Sequence, residues 1–139
     1  MARKPLAPSD ATILIVEDNP NNFLLMTRLL AFLGVKRCEW KASGWQVLEF
    51  AESIGQVDLV LMDLFLPDAD GYQSLETFRA QPKFKDIPIV AVTAHVSEES
   101  MQRARRAGFN GYIGKPLDPD RFPEQVRRAL QGEEVWEPE

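Results

Sequence analysis

The chain has 139 residues, a net charge of -5, one cysteine and one histidine. That length fits a single domain, which buries roughly 68% of its unfolded surface without disulfides or a structural metal. The lone Cys38 excludes an internal disulfide and a cysteine-rich zinc site. The acidic balance speaks against nonspecific nucleic-acid binding, which needs a basic face. The start, MARKPLAPSD, has no apolar segment behind its basic residues, and no apolar run approaches the ~20 residues that cross a bilayer. The expectation is a cytoplasmic protein with neither membrane nor nucleic acid as partner.

Taken in chain order, TILIV at 12–16 is apolar and β-branched and reads as a buried strand. Pro20 stands where a helix's first turn begins, and Asp18 or Asn19 can cap it. Met26, Leu29, Leu30 and Leu33 follow at helical spacing, and Gly34 stops the helix. Residues 36–41 are short, charged and partly alternating, which suits an edge strand. Ser43 can cap a second helix carrying Val47, Leu48, Ala51 and Ile54, ended by Gly55; Trp45 and Phe50 fall off its apolar stripe and are candidate partner contacts.

Residues 58–62 form the second continuous apolar strand. Tyr72, Leu75 and Phe78 mark a third helix, stopped before Pro82, and 87–92 is another strand. From Ser97 to residue 107 runs a helix with a thin apolar stripe of Met101, Ala104 and Ala107. Gly111-Tyr112-Ile113 is a very short strand, and Asp118 or Asp120 caps a last helix with Phe122, Val126, Ala129 and Leu130. The ending EEVWEPE has no core pattern, and Trp136 within it is expected to be unstructured rather than a docking anchor. The expected organisation is an N-terminal arm over 1–10, one domain over 11–132 and an acidic tail over 133–139. The lack of a long linker at either end favours a complete protein.

Strands and helices thus alternate. Continuously apolar strands are covered on both faces, the mark of a parallel sheet with helices on each side. Right-handed crossovers reduce the topology to a doubly wound sheet, whose ligands bind beyond the carboxyl ends of the strands. At that edge the sequence places Glu17 and Asp18 after the first strand, Asp63 after the third, then Thr93, then Lys115. Carboxylates gathered at one place repel one another, and a divalent cation removes the conflict. Hard oxygen donors with room for water suit Mg²⁺, and Mn²⁺ takes the same donors. A carboxylate can attack phosphorus, with the metal, Lys115 and Thr93 each meeting one oxygen of the transferred group. Asp63, on the central strand between the others, is the natural nucleophile.

The motifs ILIVEDNP, LVLMDLFLPDADG, VAVTAH and GYIGKP, in that order and spacing, resemble the receiver domain of two-component response regulators. The whole set is similar to single-domain regulators of the chemotaxis and DivK types, and VEDNPNN in particular to the DivK type and to receivers attached to hybrid histidine kinases. The resemblance implies an α/β flavodoxin-like fold, a doubly wound five-stranded parallel sheet in the order 2-1-3-4-5 with five helices. It implies that Asp63 accepts a phosphoryl group from a phosphohistidine on a sensor histidine kinase or histidine phosphotransfer protein. Asp18, Asp63 and the Phe65 backbone carbonyl would bind Mg²⁺, with Glu17 acting through water. Lys115 would pair with a phosphoryl oxygen, Thr93 and Tyr112 would act as switch residues, and the bond before Pro116 would be cis.

Phe65 and His95 would flank the phosphate, control the access of water and slow self-dephosphorylation. The 97–107 helix, the Gly111-Tyr112-Ile113 strand and the last helix would meet a downstream target, with the chain a monomer or a phosphorylation-dependent homodimer. Such a protein is no enzyme beyond catalysing its own phosphorylation and dephosphorylation. Four other readings compete, one of them a pseudo-receiver that is never phosphorylated, against which every needed residue is present. A Mg²⁺-dependent aspartyl-phosphate phosphatase would need a second acid two residues after the nucleophile, where Phe65 stands. A flavin-binding protein would need a phosphate cradle where Glu17 and Asp18 stand. A receiver module of a hybrid histidine kinase would carry the same motifs.

Overall fold

The computed structural model describes residues 6–137, so the first five residues of the expected arm and the last two of the expected tail lie outside the described residues. Five strands follow the expected pattern: β1 (Thr12–Val16), β2 (Arg37–Lys41), β3 (Leu59–Met62), β4 (Ile89–Thr93) and β5 (Gly111–Gly114). A sixth, β6 (Val135–Glu137), closes the far edge. All pair in parallel in the order β2-β1-β3-β4-β5-β6. The helices are α1 (Pro20–Leu33), α2 (Val47–Ile54), α3 (Gly71–Arg79), α4 (Glu98–Ala107) and α5 (Phe122–Leu130). A two-stranded hairpin, Phe65–Leu66 with Ala69–Asp70, lies between β3 and α3.

Every residue of β1, β3 and β4 is buried, as continuous apolar runs demand. The sheet separates two cores. One takes Leu14, Val60, Met62, Leu75, Phe78 and Ala104, among others. The other takes Ile13, Ile15, Met26, Leu30, Phe122 and Val126. Successive residues of β1 therefore feed opposite cores, because side chains alternate along a strand. β2 is the outer edge on the other side and is only half-buried, as its charged sequence requires.

Asn19, not Asp18, caps α1, accepting from the backbone N–H groups of Asn21 and Asn22. That leaves the Asp18 carboxylate free of a capping role. Ser43 caps nothing: α2 begins only at Val47, behind Gln46 in the left-handed region (φ 52°), and the Ser43 hydroxyl takes the Lys41 ammonium instead. Trp45 precedes the helix and is 66% exposed, while Phe50 packs against the first core. Ser97 does cap α4, whose stripe is thinner than expected, with Met101 and Ala104 buried but Ala107 exposed. Asp118 shapes the turn before α5 through the Asp120 N–H and its own carbonyl, and does not cap the helix itself.

The expectations of five strands and of an unpatterned tail are corrected by β6. Val135 is fully buried, and Gly111, Tyr112 and Ile113 pair with Val135, Trp136 and Glu137. The pattern was illegible because three residues are too few to show a period, and the arginine partners of Glu137 (Arg121 and Arg128) are brought to it by the fold.

The aromatic centre of the first core offers a stability test. Phe78 is fully buried and meets Phe84 edge-on at 5.6 Å between centroids. Phe78→Ala is expected to cost about 3–4 kcal/mol, read as a lower urea midpoint with an unchanged slope.

Candidate functional site

Four of the parallel strands end at the same rim, and each delivers its residue there. Glu17 continues β1 and is anchored by its N–H to the Lys41 carbonyl at 3.1 Å. Its own carbonyl accepts the Trp40 indole N–H at 2.7 Å, and Trp40 is stacked on Phe23 at 4.8 Å. Asp63 follows β3, with its N–H on the Val16 carbonyl at 3.1 Å. Lys115 follows β5, with its N–H on the Thr93 carbonyl at 2.8 Å. The backbone ladder thus prolongs itself beyond the strands and fixes the side chains' starting points.

The side chains converge. Carboxylate oxygens of Glu17, Asp18 and Asp63 lie within 4.8 Å of one another. The Lys115 Nζ donates to Glu17 Oε1 at 2.7 Å and to Asp63 Oδ2 at 2.9 Å. The other Asp63 oxygen, Oδ1, accepts the Phe65 N–H at 3.1 Å. Glu17 is 1% exposed at its side chain, and its Oε2 has no hydrogen-bond partner. A buried carboxylate oxygen with nothing to bind is costly. It fits a cation or its hydration shell as the missing partner, as do the three hard oxygen donors around it. Glu17, Asp18 and Asp63 are the residues that could hold a metal.

Burial pushes the Glu17 carboxyl above its usual range, against the pull of Lys115. Burial also opposes the Lys115 ammonium, but its bonds to Glu17 and Asp63 prevail and raise its pKa above 10.5. These two shifts act on stability in different windows. The ion-pair stabilisation from Lys115 is fully present below 10.5 and is lost as pH rises through the raised value. Glu17 binds its proton more tightly folded than unfolded, so it costs stability above its raised pKa, and that cost is relieved as pH falls toward 4.5.

Thr93 is fully buried, and its Oγ1 accepts the His95 N–H at 3.2 Å. The hydroxyl proton is thereby directed elsewhere. Tyr112 is fully buried too, with its ring in the first core and its hydroxyl donating to the His95 carbonyl. One loop residue therefore links Thr93 to Tyr112. His95 meets Phe65 edge-on at 5.3 Å, and both line the cleft mouth with Asp63, Thr93 and Ala94. Phe65 is 56% exposed. The Lys115–Pro116 bond is cis, as expected. Cys38 takes no part: burial and Glu39 push its thiol up to about 11.

The structure gathers Glu17, Asp18, Asp63 and Lys115, lines the same cleft with Phe65, Thr93 and His95, and joins Tyr112 to it through the His95 carbonyl. The sequence reading missed the bond from Lys115 to Glu17 and the Trp40 indole behind Glu17. Only an aromatic within a short, charge-rich edge strand hinted at the second.

A family model described as the response regulator receiver domain matches residues 13–127. The chain is similar to the signal transduction histidine-protein kinase BarA of Escherichia coli K12, 34% identical over 121 residues, 87% of this chain but 13% of that protein. The chain thus spans a small part of that kinase's length. It is 32% identical to the polar-differentiation response regulator DivK of Brucella abortus over 119 residues, 86% of this chain and 95% of that one. Among solved structures, the receiver domain of the sensor histidine kinase PA1611 of Pseudomonas aeruginosa is 34% identical with a TM-score of 0.74, covering 88% of this chain and 98% of that one. That structure has a magnesium ion coordinated in its active-site cleft.

Three carboxylates face one ammonium, so the cluster carries an excess of negative charge. Asp18 is exposed and caps nothing, so it can be neutralised at little cost in packing. Asp18→Asn is expected to stabilise the metal-free protein by a few tenths to about 1 kcal/mol at neutral pH. The gain should shrink as pH falls and the Glu17 carboxyl, raised by burial, takes its proton; urea unfolding at neutral and acidic pH checks it.

Proposed function

The chain belongs to the response regulator receiver family, and we propose that it acts as a phosphoacceptor switch in a two-component or phosphorelay pathway. The observation that carries this reading is the Lys115 ammonium bridging Glu17 and Asp63 beside a buried, unpartnered Glu17 oxygen. Asp63 is the nucleophile. One of its oxygens attacks the phosphorus of a phosphohistidine on a sensor histidine kinase or histidine phosphotransfer protein. The O–P bond forms as the P–N bond breaks, and the imidazole nitrogen keeps the electron pair.

Asp18, Asp63 and the Phe65 carbonyl would hold Mg²⁺ (or Mn²⁺), with Glu17 acting through water. When bound, the metal supplies positive charge to the phosphoryl oxygens and relieves the carboxylate repulsion. Lys115 exchanges its bond to Asp63 for one to a phosphoryl oxygen, and keeps Glu17 as its counter-ion. Thr93 donates its free hydroxyl proton to another. Movement of Thr93 draws on the His95 backbone, whose carbonyl holds Tyr112. α4, β5 and α5 are the face that a downstream target reads. Turning a switch from mostly off to mostly on takes about 5.5 kcal/mol of differential interaction between its states.

The protein turns over no substrate but its own phosphoryl group, because Phe65 stands where a phosphatase would need an acid. Its work is cytoplasmic, by protein contact, as a monomer or a phosphorylation-dependent homodimer. The similarity to a segment of BarA favours a second reading, a receiver carried within a larger histidine kinase. The chemistry at Asp63 is the same in both.

Incubation with Mg²⁺ and a small acyl-phosphate donor should add one phosphoryl group by intact mass, labile to hydroxylamine. Asp63→Ala should take none; addition to that variant would refute the assignment. Phe65 and His95 narrow the path of water to the acyl phosphate. Phe65→Ala is therefore expected to shorten the phosphorylated lifetime severalfold, measured by decay of the mass-shifted species after donor removal. An unchanged lifetime would rule out the shielding role.

A further inference from the structure

β6 lies along an edge of β5 that would otherwise face solvent, and its three residues meet three different surfaces. Val135 is fully buried in the second core, on the side of α1 and α5. Trp136 packs against the first core, and the Arg105 guanidinium of α4 sits 4.5 Å from its ring centroid. Glu137 reaches α5, accepting from Arg121 Nη2 at 2.9 Å, from Arg128 Nη2, and from the buried Gln125 Nε2 at 3.2 Å. Strand alternation sends residues 135 and 137 to one face and 136 to the other.

The edge is shaped for such an occupant. A Cβ at Gly111 would stand 2.5 Å from the Val135 carbonyl oxygen, so glycine is what lets a neighbouring strand approach. With β6 lifted away, an apolar slot would lie open between Arg105 on one flank and Arg121 and Arg128 on the other. That is a basic rim on a chain of net charge -5. The acidic segment that covers it is complementary in charge, in apolar contact and in backbone hydrogen bonding.

We propose that the edge of β5, between α4 and α5, is a docking site for an extended partner segment, and that residues 135–137 fill it in cis. The partner segment presents an apolar residue, then an aromatic, then a carboxylate, and binds by strand addition. This deepens the assignment of the target contact to that face, on which it rests. Tyr112 pairs in register with Trp136, so the occupant lies directly beside the residue that senses the Thr93 loop. A short tether, residues 131–134, gives the cis strand an effective concentration in the millimolar range, against which a partner must compete.

The test titrates the capped peptide GEEVWE, the sequence of residues 132–137, into the full chain and follows backbone amide shifts. A double variant, Trp136→Ala with Glu137→Lys, removes the cis occupant and leaves the slot intact. It should bind the peptide with Kd below about 1 mM, and the natural chain at least tenfold more weakly. Adding Gly111→Ala to the double variant should abolish binding, because the new Cβ fills the approach. Equal binding by both chains, or no binding by a double variant with a folded amide spectrum, overturns the proposal. A concentration-dependent dimer of the natural chain that exchanges this strand would overturn the cis arrangement.

If the double variant does not fold, hydrogen exchange on Gly111→Ala alone decides. The Val135 amide should then exchange at least tenfold faster while β3 and β4 stay protected, and unchanged exchange overturns the proposal. No step uses phosphate. A negative result leaves Asp63 phosphorylation standing, and failed phosphorylation leaves docking standing.

Discussion

One ammonium group holds a crowded set of carboxylates together. Lys115 spans Glu17 and Asp63 at 2.7 and 2.9 Å in a setting where all three side chains are mostly shielded from water. Remove the cation and two carboxylates lie close together with little solvent to screen them. Keep it, and the charge is still unbalanced, because Asp18 adds a third acid and Glu17 keeps one oxygen without a partner. The site is therefore stable enough to fold and unsatisfied enough to recruit more positive charge. Both properties follow from the same count of acids against one base.

The sheet is the reason such a conflict can exist. β1, β3 and β4 are buried throughout, and their packing into two cores supplies the stability that the rim spends. Bonds such as Asp63 N–H to the Val16 carbonyl carry the ladder past the last apolar residue. Glu17, Asp63 and Lys115 stand at the ends of buried strands, while the residues beside them, Phe65 and His95, stand on the hairpin and loop. Fixed chemistry and variable access are thus divided between sheet and loops, a common division in domains whose sites lie at strand ends.

A second set of contacts leads from the rim to the edge of β5. The Thr93 hydroxyl, the His95 backbone and the Tyr112 hydroxyl form a chain of hydrogen bonds from the carboxylate rim into the first core. Tyr112 then pairs with Trp136, which Arg105 covers from α4. Contiguous, directional contacts thus join the rim to the C-terminal strand. The acidic composition of the final segment acquires a structural meaning from this, since Glu137 pairs with Arg121 at the start of α5 and with Arg128 within it.

The sequence by itself determined the alternation of strands and helices, because period and continuity of apolar residues are local signals. It also determined the rim, because Glu17, Asp18, Asp63, Thr93 and Lys115 each follow a strand and parallel strands end together. The helix caps were less legible: Asn19 and Asp18 are both good caps, and only the folded turn selects Asn19. Tertiary structure alone decided three things. It joined Lys115 to Glu17, 98 residues away, a contact set by strand order rather than by spacing. It placed the Trp40 indole under the Glu17 carbonyl, across two neighbouring strands. It turned Val135, Trp136 and Glu137 into a sixth strand. Three residues carry no period of their own, and the groups that hold them (Gly111, Arg105, Arg121 and Arg128) come together only once the sheet has formed.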